Sequence, residues 1–170
     1  MTATPADAAA ATDSPDTTGA GTTTGSTSTE PEFVRSAAVL ATSTGEDYRV
    51  DIRAGRHHLT ADEPASAGGG DTATTPVGLL LSALGSCTAI TLRMYAQRKQ
   101  WPLETVRVHL GYEKGPDRAA RITRRIDLVG DLDEAQRDRL LDIAERTPVT
   151  LAVTGATPVV AARSKGADRA

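Results

Sequence analysis

The 170-residue sequence predicts a single α+β domain. Three observations indicate this class. Segments of alternating apolar and polar residues, typical of half-buried strands, occur towards both ends of the chain. A long apolar segment with helical spacing lies between them. The predicted order is strands, helix, hairpin, helix, strands, and it contains neither an internal repeat nor the regular β-α alternation of a parallel sheet.

Composition divides the chain into three parts. Residues 1–30 contain 10 Thr and 7 Ala but no Val, Ile, Leu or aromatic residue. Burial of such a segment cannot offset the entropy lost on ordering it, so we expect a disordered tail. Residues 31–163 form the predicted folded domain, and residues 164–170 a short disordered C-terminus.

The first part of the domain is predicted to contain three strands. The first covers Val34–Thr42, and the second covers Asp47–Ala54, where Tyr48, Val50 and Ile52 alternate with polar neighbours. Leu59 marks a short third strand. The loop Asp62–Thr75 follows, because Pro64 and three consecutive glycines interrupt regular structure.

The strongest local signal is a helix that starts at Pro76, with Thr75 as its N-cap, and that remains apolar to Tyr95. Trp101-Pro102 ends it. One stripe of this helix is formed by Leu80, Leu84, Cys87, Thr91 and Met94. Because the helix is apolar on nearly every face, and one small domain cannot cover it completely, we predict a homodimer.

A long hairpin is predicted next, with its turn at Gly115-Pro116-Asp117 and two alternating strands on either side. Arg124 is unusual, because it shares a strand face with Ile122 and Ile126. Two explanations remain open for it, a buried polar partner or a position on an edge strand.

A second helix is predicted from the capping box of Asp133 and Gln136, with Pro148 as its end. Val149–Val153 and Pro158–Ala162 are predicted as closing strands.

Several classes of function are disfavoured. Five aromatic residues and a net charge of −3 offer little to a nucleic acid. We expect no apolar run of membrane-spanning length and no signal peptide, and therefore a cytoplasmic protein without a membrane partner. The adjacent His57 and His58, with His109, do not have the spacing of a metal site, and the glycines 68–70 lack the lysine of a phosphate loop. We expect no metal and no cofactor.

Cys87 is the only cysteine, so no intramolecular disulfide can form. A cysteine in the middle of an apolar helix has two interpretations. It can be a small packing residue, as most buried free cysteines are. It can also be a nucleophile, which requires access for a substrate and a cation supplied by another segment to stabilise the thiolate.

The segments Ala61–Pro64, Thr75–Ala96 and Gly130–Arg146 resemble the OsmC/Ohr family of hydroperoxide-reducing proteins, and the resemblance extends from about Phe33 to Ala162. It implies the OsmC-like fold, in which antiparallel strands, a central hydrophobic helix and a second helix form an intertwined homodimer. It also implies that Cys87 is the catalytic cysteine. In the family this thiolate reduces an organic hydroperoxide and becomes a sulfenic acid, which a second cysteine resolves in the antioxidant response to oxidative stress.

This chain departs from the family pattern at two positions. Thr147 stands where the family has the resolving cysteine, and Val77 and Gly78 stand where it has an acid after the helix-starting proline. In the family an arginine near the cysteine lowers the pKa of its thiol, and the resemblance does not say which arginine of this chain corresponds to it. The arginines of the first strands are Arg35, Arg49, Arg53 and Arg56.

Two hypotheses follow. The first is a one-cysteine, peroxidase-like oxidoreductase with an organic hydroperoxide as substrate and an external thiol as reductant. The second is a non-catalytic dimer that binds an apolar ligand in an interface pocket.

Overall fold

A computed structural model describes residues 33–45 and 47–160 of the chain. The predicted tail, residues 1–30, and the predicted C-terminus, residues 164–170, lie outside the described residues. The chain divides into two compact units, residues 1–36 and residues 37–170. Within the first unit, the described residues 33–36 have no regular secondary structure, and the helices and strands described below belong to the second.

The first sheet has three antiparallel strands in the order β1 (Val39–Ser43), β2 (Val50–Ala54) and β3 (His57–Ala61). The third strand, predicted from Leu59, is confirmed. The first begins five residues later than predicted, because its register with β2 starts at the pair Val39 and Ala54. Beyond Ala54 the chain turns at Gly55, so the residues before Val39 have no strand to pair with.

The loop between β3 and the first helix is organised around Asp62, which is buried. Its Oδ1 accepts the backbone N–H groups of Glu63 at 2.8 Å and Gly70 at 3.4 Å. Its Oδ2 accepts the backbone N–H of Thr72 at 3.0 Å and the Thr72 hydroxyl at 2.8 Å. The hydrogen bonds from Thr72, followed by those from Glu63 and Gly70, lower the pKa of Asp62 from 3.8 to about 2.

We expect Asp62→Asn to lower Tm at neutral pH by about 3–6 °C, because an amide nitrogen cannot accept the hydrogen bonds of a carboxylate oxygen. The folded-state pKa is lowered, so the stabilisation is complete above the unfolded pKa and is lost as pH falls through about 2. The Tm difference between wild type and variant should therefore shrink between about pH 5 and about pH 2. Asp71→Asn, at an exposed position of the same loop, is the control. A Tm difference that does not change with pH would contradict this role of the carboxylate.

The central helix, α1, spans Pro76–Lys99, as its capping signals predict. The Thr75 hydroxyl accepts the backbone N–H of Gly78 at 3.1 Å, and Pro76 occupies the first turn. The helix ends at Gln100, which adopts a left-handed conformation. One stripe of α1 is buried, formed by Leu84, Thr88, Leu92 and Ala96.

One expectation about α1 is wrong. We expected no apolar segment of membrane-spanning length, yet Pro76–Lys99 is long and apolar enough to cross a membrane by length and composition alone. Core helices of soluble proteins pass the same test. Here the buried stripe of α1 packs against the hairpin and the second helix within the chain.

The predicted hairpin is formed by β4 (Leu103–Lys114) and β5 (Ala120–Gly130), paired antiparallel. The second helix, α2, spans Glu134–Ala144, and both hydrogen bonds of the predicted capping box at Asp133 are present. The core lies where α1, the start of β4 and α2 meet. Its buried residues are Leu92, Ala96, Leu103, Leu132, Leu140 and Ala144.

Two arginines tie the helices to the hairpin through backbone carbonyl groups. Arg93 of α1 donates to the carbonyls of Leu103 and Glu104 at the start of β4. Arg137 of α2 donates to three carbonyls at the end of β5 and in the turn after it, those of Leu128, Gly130 and Leu132. Because a guanidinium presents several donors in a fixed plane, each side chain holds two or three carbonyls in place.

The predicted C-terminal strands are wrong. Helix α2 ends at Ala144, before Pro148, and Pro148 begins a short helix, α3 (Pro148–Leu151). A helical turn over Ala152–Ala156 follows. Residues 157–160 have no regular structure, and residues 161 and 162 lie outside the described residues. Proline is favoured in a first helical turn, and here that preference prevails over the strand propensity of the β-branched residues that follow it.

Candidate functional site

Cys87 lies in the middle of α1, half-buried and without a disulfide. On the exposed side of the helix, the residues three, four and seven positions away from Cys87 are apolar, namely Leu80, Ala83, Ile90 and Met94. Of these, Leu80 is 40% exposed, Ile90 59% and Met94 63%. Because residues at this spacing share one helix face, Cys87 belongs to an uncovered apolar stripe. We call residues 80, 83, 87, 90 and 94 the Cys87 stripe.

The Cys87 stripe runs beside the buried stripe of α1. Successive residues of a helix are rotated by about 100°, so Cys87 and the fully buried Thr88 point in different directions. Cys87 is thus outside the buried core of the chain, whereas Thr88 is part of it. Cys87 is therefore partly accessible to solvent, and access is one of the two requirements of a nucleophile.

A buried polar cluster lies behind Thr88, centred on Arg124 of β5. Arg124 Nη1 donates to the Ala144 carbonyl at 3.1 Å, the Thr150 hydroxyl at 3.2 Å and the Thr88 hydroxyl at 3.5 Å. Arg124 Nη2 forms an ion pair with Glu145 Oε1 at 2.7 Å. Of the two explanations left open by the sequence, a buried polar partner is therefore the correct one.

Thr147, which stands where the resemblance places a resolving cysteine, is connected to this cluster. It is buried, and its hydroxyl lies 2.7 Å from the Thr150 hydroxyl, which in turn accepts from Arg124. Thr147 is also the N-cap residue of α3. Hydrogen bonds through the side chains of Thr150 and Arg124 therefore connect the hydroxyl of Thr147 to that of Thr88.

The start of α1 is crowded at Gly78, one of the two positions where the resemblance implies an acid. A Cβ atom at Gly78 would overlap the Thr74 hydroxyl oxygen, so a glutamate at that position would have to displace Thr74. No acidic residue occupies the first turn of α1.

The basic residues of the first strands do not supply the missing cation in the described structure. Arg49 pairs with Asp51 at 3.3 Å, on its own strand. Arg35, Arg53 and Arg56 are exposed. Among residues 33–45 and 47–160, no hydrogen bond or ion pair joins an arginine to Cys87.

A family model described as OsmC-like protein matches residues 68–161, which include all of α1, the hairpin and α2. This chain belongs to the OsmC family. The match lies within the predicted domain of residues 31–163, and the boundaries of that domain remain a prediction.

Solved structures of the OsmC family share the α+β fold of this chain. The OsmC-like protein of Mycoplasma pneumoniae has a TM-score of 0.61 at 15% identity, over 72% of this chain and 90% of its own. The organic hydroperoxide resistance protein OsmC of Legionella pneumophila has a TM-score of 0.55 at 18% identity, over 73% and 93%. OhrB of Bacillus subtilis, also an organic hydroperoxide resistance protein, has a TM-score of 0.51 at 22% identity, over 71% and 92%. At these identities the likeness establishes the fold. Among curated protein sequences, none matches this chain significantly.

Sequence reasoning missed two features of this OsmC family member. The organising role of Asp62 has no local signal, because its partners are up to ten residues away. Glu145 and Thr150 were not connected to Arg124, although the charge of Arg124 on an apolar strand face indicated that a partner was needed.

Proposed function

We propose that this protein reduces organic hydroperoxides with the thiol of Cys87 and takes part in the response to oxidative stress. The observation that carries the proposal is the position of Cys87, half-buried in an apolar stripe of α1. Family membership supports it, as do the structural neighbours known as organic hydroperoxide resistance proteins. Catalysis of this kind would make the protein a peroxidase-like oxidoreductase.

The chemistry uses one thiolate and two external thiols. The Cys87 thiolate attacks the distal oxygen of the hydroperoxide, so an S–O bond forms, the O–O bond breaks, and the released alkoxide takes a proton to become an alcohol. An external thiol then attacks the sulfenic acid, which releases water and leaves a mixed disulfide. A second external thiol displaces Cys87 from that disulfide and restores its thiol. Because Cys87 is the only cysteine, no internal thiol can replace the external ones.

We also propose that the active form is a homodimer. The Cys87 stripe is uncovered in one chain, and so is the β1–β3 sheet, where Val39 and Leu59 are exposed on one face. A second copy would cover apolar surface of this kind and would close an apolar site around the thiol. A single unpaired cysteine suits the reducing cytoplasm, the location that we propose.

The decisive experiment measures the consumption of cumene hydroperoxide by the purified protein with a panel of monothiols and dihydrolipoamide. We expect turnover with at least one thiol and a loss of at least about a hundredfold in Cys87→Ser, because a hydroxyl is a far weaker nucleophile. Thr91→Ser, a change of similar size one helical turn further on, should retain the activity. Equal rates for wild type and Cys87→Ser would overturn the proposal.

A second candidate function rests on the two departures from the family pattern. Thr147 replaces the resolving cysteine, and Val77 and Gly78 stand where the family has its acid, with Gly78 confined by Thr74. Both departures favour a non-catalytic dimer that binds an apolar ligand in an interface pocket. For that function, neither the wild type nor Cys87→Ser would consume hydroperoxide with any thiol of the panel.

A further inference from the structure

We propose that the cleft beside Arg124 is a binding site for a small apolar carboxylate, which takes the place of Glu145 on the Arg124 guanidinium. The residues that line the cleft belong to one chain and do not include Cys87. Carboxylate binding can therefore be tested apart from the proposed hydroperoxide chemistry.

Arg124 presents a fixed positive charge at the wall of the cleft. Its side chain is only 12% exposed. Three uncharged acceptors on α1, α2 and α3 hold Nη1, namely the Thr88 hydroxyl, the Ala144 carbonyl and the Thr150 hydroxyl. These contacts orient the guanidinium but leave its charge uncompensated. A buried charge requires a counter-ion, so a carboxylate at Nη2 is strongly favoured.

The present counter-ion is suited to exchange. The Glu145 side chain is 71% exposed, and its hydrogen bond to Nη2 is the contact that holds it at the cleft. Glu145 is also the C-cap residue of α2, where the partial negative charge of the helix end disfavours an acid. Because the Glu145 carboxylate is open to solvent, it can leave Nη2 without being trapped in the protein, and a ligand carboxylate can take its place there.

The rest of the cleft suits an apolar chain. The cleft has a volume of about 280 Å³, and Leu84, Ile122 and Val153 form its apolar wall. The Thr154 hydroxyl also lines it but donates to the backbone carbonyls of Thr150 and Leu151. The polar end of the cleft is thus Arg124 and its partners, and the side chains of Leu84, Ile122 and Val153 offer a smaller surface for hydrocarbon. A charged head and an apolar tail match this division.

Titration with hexanoate, followed by calorimetry and by NMR shifts of the methyl groups of Leu84, Ile122 and Val153, tests the proposal. Saturable binding is expected in the wild type and also in Cys87→Ser, so this result does not depend on the proposed catalysis. Hexanol, which has the same chain but no charge, should bind at least about tenfold more weakly, because charge-assisted hydrogen bonds are about twice as strong as neutral ones.

The variants separate competition from other effects. Glu145→Gln removes the charge of the competitor and should tighten hexanoate binding about threefold to fivefold. Arg124→Lys retains the charge but loses the planar array of donors, so binding should weaken at least about tenfold. Glu113→Gln is the matched control, because Glu113 forms a similar 2.6 Å ion pair with Arg121 on the exposed hairpin. It should leave binding unchanged.

The proposal would be overturned by the absence of saturable hexanoate binding in the wild type, or by equal affinities for hexanoate and hexanol. Unchanged or weaker binding in Glu145→Gln, or unchanged binding in a folded Arg124→Lys, would overturn it as well. If Arg124→Lys does not fold, Glu145→Gln still decides, because it alters an exposed side chain alone. NMR shifts confined to α1 residues of the Cys87 stripe would place the ligand elsewhere and would also contradict this site.

Discussion

Thr147→Cys is expected to form an internal disulfide with Cys87 when the protein is treated with cumene hydroperoxide. The wild-type protein should instead accumulate sulfenic acid with one equivalent of oxidant and irreversible sulfinic acid with an excess, because no second thiol intercepts the first product. The substitution would therefore change the end product of oxidation from an acid to a disulfide. Turnover with dithiol reductants should also rise, since an intramolecular thiol has a high effective concentration.

The expectation rests on the place of Thr147 in the fold. The Thr147 hydroxyl lies 2.7 Å from that of Thr150, which accepts from Arg124, and Arg124 also donates to Thr88, the residue after Cys87. Thr147 is also the N-cap residue of α3, which packs against α1. A disulfide requires Cα atoms about 4.4–6.8 Å apart, and we expect residues 87 and 147 to meet this requirement because the resemblance places the two family cysteines at these positions.

Intact mass and thiol counting distinguish the products. A disulfide removes two hydrogens and leaves no free thiol, whereas a sulfinic acid adds two oxygens. Thr105→Cys, at an exposed position of β4, is the control and should leave Cys87 open to sulfinic acid formation. Two free thiols after oxidation of Thr147→Cys, or a sulfinic acid at Cys87 in that variant, would contradict the placement of Cys87 in a family-type active site.

The wild-type protein should have the mass of a dimer at micromolar concentration, and Ile90→Lys should have the mass of a monomer. Ile90 is 59% exposed in one chain and lies in the Cys87 stripe. Burial of an isoleucine contributes about 1.5–3 kcal/mol, and a two-fold interface loses that contribution twice. Two buried lysine charges add a further cost, so we expect the dissociation constant to rise by at least about a hundredfold.

Light scattering coupled to size-exclusion chromatography measures both masses. Thr105→Lys, at an exposed position of β4, introduces the same charge outside α1 and should remain dimeric. A wild-type monomer, or an Ile90→Lys dimer of unchanged strength, would contradict the proposed interface.

Local signals predicted the fold well where they were specific. Thr75 with Pro76, and Asp133 with Gln136, marked the two helix starts that the structure contains. At the C-terminal end, β-branched residues favoured a strand over Val149–Val153. In the structure Pro148 instead starts a helix there. The Thr150 hydroxyl donates to the Ala144 carbonyl and accepts a hydrogen bond from Arg124.

The candidate site was predictable only in part. Cys87 stood out because it is the only thiol and because the surrounding helix resembles a known family, but neither fact predicts how exposed it is. Arg124 stood out as a charge in an apolar pattern. Its partners lie 20 to 36 residues away along the chain, so only the tertiary structure brings them together.

The hydrogen bonds from Arg93 and Arg137 to backbone carbonyls affect how the protein unfolds locally. They join α1 and α2 to the same open end of one hairpin, where Leu103 pairs with Gly130, so these elements should exchange their amide hydrogens as a single cooperative unit. Among the described residues, the strands of the β1–β3 sheet make their extensive contacts with one another, so we expect their amide hydrogens to exchange faster. The segment that precedes α1 should therefore open locally while the scaffold that carries Cys87 stays folded.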